Sequence, residues 1–142
     1  MCVLACRLFL LGLLGLALAG CDSGAPVLAS VHGRVSYNGI LLHTGTIVFT
    51  PDPLRGTVGS LAHGEIQADG SYVLYTGDQP GVAEGWHRVT IVALEHPAQA
   101  PAGTQRLVPR SLLPDKYRDP GLSGLVCEVK GGNDNRIDFN LD

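Results

Sequence analysis

Strict alternation of apolar and polar residues, three tight-turn dipeptides and the lack of any sustained 3.6-residue apolar period predict an all-β domain. The expected form is a seven-stranded antiparallel β-sandwich over residues 31–142. In the first strand Val31, Val35 and Tyr37 share one parity, with His32, Arg34 and Ser36 on the other. Asn38-Gly39 follows, a turn signal because both residues tolerate positive φ. Residues 46–50 form the next strand, with Ile47 and Phe49 inward, stopped by Pro51. Residues 52–60 read as a loop. Residues 62–67 place Ile66 on one face and His63, Glu65 and Gln67 on the other. Asp69-Gly70 turns the chain into a returning strand over 71–76, and 77–85 is a loop. Residues 86–94 are the longest β-branched run. Residues 95–121 hold five prolines and read as a long loop. Residues 123–129 and 135–141 form a closing hairpin about Gly131-Gly132-Asn133. Leu125, Cys127, Val129, Ile137, Phe139 and Leu141 face inward in it, and Asn140 faces outward.

The N-terminus has a different character. Arg7 is its only charged side chain, residues 8–18 are almost wholly Leu, Gly, Ala and Phe, and Leu18-Ala19-Gly20-Cys21 follows. The apolar run is shorter than the ~20 residues a spanning helix needs. It has the plan of an export leader, and the last four residues have the form of a lipobox. The expected organisation is a signal peptide at 1–20, a lipidated Cys21 with a small-residue tether through residue 30, and the β-domain over 31–142. Two or more acyl chains on Cys21 suffice for stable anchoring. The domain is then held on the extracytoplasmic side of a bacterial membrane, in the cell envelope.

Loss of the leader changes the composition. Of 10 basic residues only Arg7 leaves, so 9 face 13 acidic ones and the formal charge is −4. That balance gives nucleic-acid binding no electrostatic support. Of four cysteines, Cys2 and Cys6 leave and Cys21 is acylated, so Cys127 has no disulfide partner. About 110 residues must therefore form a core unaided.

Several runs carry a family resemblance. Val31-His32-Gly33-Arg34-Val35-Ser36-Tyr37-Asn38-Gly39 resembles the first hairpin of carboxypeptidase-regulatory-like, transthyretin-like domains. The whole of 31–142 is similar to small lipoproteins of planctomycete-type bacteria. Those share a G-x-V-x-Y-N-G opening, a T-I-V-F-T-P strand (Thr46 to Pro51) and G-E-I-x-x-D-G-S-Y (Gly64 to Tyr72). They also share an L-x-P-x-K-Y element (Leu112 to Tyr117) and a last strand like Ile137-Asp138-Phe139-Asn140-Leu141. The resemblance implies a prealbumin-like sandwich on the cell envelope, and no established activity. It departs at His87, where relatives carry an aromatic such as Tyr. His87 shares parity with Val89 and Ile91, so either the strand shifts register by one or His87 lies at the core edge.

Candidate chemistry is sparse. His32, His43, His63, His87 and His96 lack metal-ligand spacing, and only Cys127 is free to join them. Asp69 is read as a turn residue, since no second carboxylate stands at calcium-loop spacing. The transthyretin-like hydrolases end in Tyr-Arg-Gly-Ser, whereas this chain ends Phe139-Asn140-Leu141-Asp142, and Ser71 and Ser123 lack a G-x-S-x-G setting. Trp86, Lys116 and Tyr117 are the candidate recognition residues. For Tyr117 the favoured reading is a ring tucked over the sandwich, with Lys116 solvated. The expectation is a non-enzymatic interaction or structural module without cofactor or metal, bound to the membrane through Cys21. Envelope proteins and glycans are its candidate partners, and a sugar- or peptide-binding module or a hydrolase are the alternatives.

The isolated domain, residues 22–142, is expected to melt at one temperature with or without reductant and with or without a strong chelator. A metal held only by the folded state would stabilise it by mass action. A fall of several degrees on chelation would overturn this reading of the histidines.

Overall fold

A computed structural model of the protein describes residues 27–95 and 109–142. The leader, Cys21, most of the tether, His96 and residues 97–108 of the long loop lie outside the described residues. Among the described residues the fold is all-β, with fifteen short strands and two 3-10 turns.

The folded part starts earlier than expected. Strand β1 (Leu28–Ala29) lies within the expected tether yet is paired, and Ala29 is buried. β2 (Val31–Tyr37) and β3 (Ile40–Leu41) form the first hairpin, with Asn38 at φ 51° and Gly39 at φ 79°. Both central residues carry the positive φ that a two-residue hairpin of matching twist needs. β4 (Thr46–Pro51) buries Ile47 and Phe49 completely, as the alternation predicts. β5 (Ala62–Glu65) pairs with it antiparallel.

The segment 71–76 does not return along β5 as one strand. β6 (Ser71–Val73) pairs with β2, with Tyr72 opposite Gly33. Beyond the buried Leu74 the chain crosses to β5 as β7 (Tyr75–Thr76), with Tyr75 opposite His63. Leu74 donates its N–H to Val31 and accepts from Gly81, so the crossing leaves neither group unpaired. The expected loop 77–85 contains β8 (Gln79–Pro80), paired with β7, and β9 (Val82–Ala83), paired with β1. β10 (Gly85–Val92) is the longest strand, flanked by β4 and β13. β11 (Leu94–Glu95) pairs with β12 (Arg110–Ser111), and a 3-10 turn over Asp115–Arg118 buries Tyr117. The expected long loop is therefore docked at both of its described ends.

The closing hairpin is a correction. β13 (Val126–Val129) joins β10, whereas β14 (Asn135–Arg136) and β15 (Phe139–Leu141) run parallel to β2. The expected uniformly antiparallel pairing fails there for a local reason. Asn135 caps the turn from inside, accepting from Lys130 N–H and donating to the carbonyls of Lys130, Asn133 and Ser30. That last bond directs the chain away from β13 and toward β2.

The result is a six-stranded sheet, β13-β10-β4-β5-β7-β8, and a five-stranded sheet centred on β2, with two small ribbons beside them. The buried faces of the two large sheets share one apolar core. Phe139 meets Phe49 edge-on at 6.1 Å and lies 6.4 Å from Tyr72. Asn140 faces outward as expected but is not idle, since it accepts a 2.7 Å hydrogen bond from Ser36.

Phe139→Ala should cost about 3–5 kcal/mol, as for a fully buried Phe. Gly33→Ala should cost about 1–3 kcal/mol or more, because a Cβ there runs into the carbonyl of Ile137. Urea unfolding measures both. A neutral Gly33→Ala would refute the close parallel approach of the C-terminal segment to β2.

Candidate functional site

Of the three recognition candidates, Trp86 lines a groove. It stands second on β10, on the face opposite His87, Val89 and Ile91, and is half-buried. The loop that sequence reading left plain builds its setting. Asp52-Pro53 opens a 3-10 turn over Pro53–Arg55, with Asp52 as N-cap accepting from Leu54 N–H. The Asp52 carboxylate is 2% exposed and lies 3.2 Å from Arg88 and 3.7 Å from Arg55. Its backbone N–H donates to Trp86, and the Trp86 N–H donates to the Thr57 hydroxyl at 2.7 Å. Arg55 then lies over the indole ring, 4.4 Å from its centroid, within cation–π range.

Buried and hydrogen-bonded, Asp52 thus fixes the loop, and through Arg55 it fixes one face of Trp86. Its signal was present in the sequence: an Asp before Pro is an N-cap followed by the residue best suited to the first helical position. Trp86, Arg55, Glu84, Glu128 and Lys130 line a groove of about 480 Å³.

Lys116 and Tyr117 are arranged differently. The Tyr117 ring is 2% exposed, so it offers no platform to a ligand. Its hydroxyl lies 2.8 Å from the Asp142 carbonyl and 3.0 Å from Asp142 Oδ1, and it accepts from Asp142 N–H. Lys116 stays exposed, with its ammonium over the Tyr117 ring and 3.4 Å from Asp142. The contact with Tyr117, with help from Lys116, holds the Asp142 carboxyl below its usual range. This pair pins the C-terminal strand.

The histidines are not gathered. His32 contacts Asp134 at 3.2 Å, His63 is exposed on β5, His43 is exposed, and His96 lies outside the described residues. Among the described residues no three of His, Cys, Asp and Glu come together as a metal site would require. Asp69 serves its turn, accepting from both the N–H and the hydroxyl of Ser71, which lowers its pKa. Burial pushes the Cys127 thiol up to about 12, which leaves it protonated and unreactive at neutral pH.

His87 settles the register question: the strand keeps its parity and the imidazole is fully buried against Phe49, 5.9 Å between ring centroids. Nδ1 lies 3.0 Å from the Gly85 carbonyl, which makes it the N–H donor. Nε2 is left as a buried acceptor without a partner. Burial lowers the pKa of this histidine, because the charged form loses its hydration. The unfolded chain then binds the proton more readily than the folded one, so the charging of His87 takes nothing from stability above about pH 6.5 and lowers it as pH falls below that. His87→Phe should remain within about 1 kcal/mol of the parent at pH 7.5, since it removes one hydrogen bond and one unpaired nitrogen together. At pH 5 it should be the more stable of the two. Denaturant titrations at both pH values test this, and equal pH dependence in both proteins would refute it.

No family model matches the chain, and no curated protein and no solved structure matches it.

Proposed function

We propose that the protein is a lipoprotein of the bacterial cell envelope, in which a non-enzymatic β-sandwich module is tethered to a membrane through Cys21. The observation that carries this reading is the lipobox Leu18-Ala19-Gly20-Cys21, whose Cys21 stands seven residues before the start of β1 at Leu28. An anchor that close to a folded unit suits surface attachment. Two core-sharing large sheets, with the Gly33, Tyr72 and Tyr117 motifs at structural positions, support a prealbumin-like, transthyretin-like sandwich. The buried polar side chains of Asp52, Tyr72 and Asn135 are engaged in holding the fold together, which supports a binding or structural role over catalysis. A glycan- or peptide-binding module is the second reading. It is favoured by the open groove beside Trp86, whose polar lining of Glu84, Glu128 and Lys130 suits hydroxyl- or amide-rich ligands.

Cys21→Ala should accumulate as an uncut precursor that takes up no palmitate label. The parent protein should label and partition into detergent. Palmitate labelling of the Cys21→Ala protein would sink the proposal.

A further inference from the structure

The structure fixes the end of the domain from which the tether leaves. β1 runs antiparallel to β9, with Leu28 opposite Ala83 and Ala29 opposite Val82. Going back from Ala29 to Val27, the chain therefore heads the way β9 runs forward, toward Glu84 and Gly85. Gly85 abuts Thr57 so closely that a Cβ would strike its hydroxyl, and Gly131 likewise abuts Glu84. The exit, the loop 52–58, the start of β10 and the 130–133 turn therefore occupy one end of the molecule.

That end carries apolar side chains that stand exposed among the described residues. Leu54 is 84% exposed, Val58 79% and Val27 79%. The half-buried Trp86 and the exposed Arg55 line one groove with Val58. The capped turn holds Leu54 outward, since Asp52 accepts from the N–H groups of Leu54, Arg55 and Thr57. From Cys21 to Val27 the chain can reach at most about 20 Å. An acylated Cys21 therefore keeps this end within reach of the bilayer surface.

We infer that the loop 52–58 and Trp86 form a lipid-facing surface, with Leu54 and Val58 inserted among the acyl chains and Trp86 at headgroup level. The inference rests on the lipoprotein reading above. An indole beside aliphatic side chains suits the membrane–water interface, where one part of the ring is dry and its N–H is wet. The nearby charges balance, with Arg55 and Lys130 against Glu84 and Glu128. Insertion is therefore apolar in origin and insensitive to salt. The same geometry holds the far end, where Ile40 follows the turn of the β2–β3 hairpin, away from the bilayer.

Trp86 is the only tryptophan in the chain, so it reports directly. The lipidated full-length protein is reconstituted in phosphatidylethanolamine–phosphatidylglycerol vesicles with or without brominated acyl chains, and flotation and Trp emission are read from one sample. The expected result is flotation with at least two-fold quenching by the brominated lipid. Leu54→Asp with Val58→Asp should abolish most of that quenching. A reporter at the far end, Ile40→Trp in a Trp86→Phe background, should float unquenched. Flotation without quenching of Trp86 overturns the surface assignment while leaving the anchor intact. Quenching that survives the double substitution, or that is equal at Ile40→Trp, overturns it as well. Failure to float refutes the anchor reading and this inference with it.

Discussion

One close approach governs the rest of the fold: the contact of the C-terminal segment with Gly33 in the middle of β2. Lacking a side chain, Gly33 lets the Ile137 carbonyl come within a distance no Cβ would allow. Tyr72, opposite Gly33 on β6, donates its hydroxyl to that same carbonyl at 2.6 Å, and burial drives its phenol pKa upward. Phe139, two residues on, then sits between Phe49 of one sheet and Tyr72 of the other. A glycine, a buried phenol and an aromatic plug thus lock three strands and both sheets at one place.

The polar interior follows two different rules. Asp52 is satisfied, with one backbone donor and two guanidinium groups around its carboxylate, and it organises a surface loop that has no hydrophobic reason to be ordered. His87 is only half satisfied, with an orphan nitrogen in an otherwise apolar layer. Such an atom costs stability without ordering anything the structure shows. We have no structural account of why histidine stands there.

Which residues point inward was legible in the chain, because a period of two is enforced by strand geometry alone. Ile47, Phe49, Ile66, Val89, Ile91, Phe139 and Leu141 all lie on the buried side. The turns at Asn38-Gly39 and Asp69-Gly70 were legible for a similar reason, since positive φ restricts the residue type. Partner choice was not. Alternation says which face is buried and nothing about which neighbour a strand takes, so the crossing at Leu74 and the departure at Asn135 left no periodic trace. A turn signal such as Gly131-Gly132 marks a reversal, yet here the two flanking strands enter different sheets. The Trp86 groove was half visible: the indole was an evident candidate, whereas its support came from Asp52 and Thr57, more than 25 positions away, in a segment without pattern.

Pairing the last strands with the first long one has a consequence for the life of the nascent chain. Contacts such as that of Arg34 with Asp138 join residues 104 positions apart, and β2 has no parallel partner until residues 135–141 exist. Closure entropy must be met before those contacts return anything, so the core cannot complete early. A chain of this topology stays open through nearly all of its synthesis. It closes only once residues 135–141 are free to pair with β2.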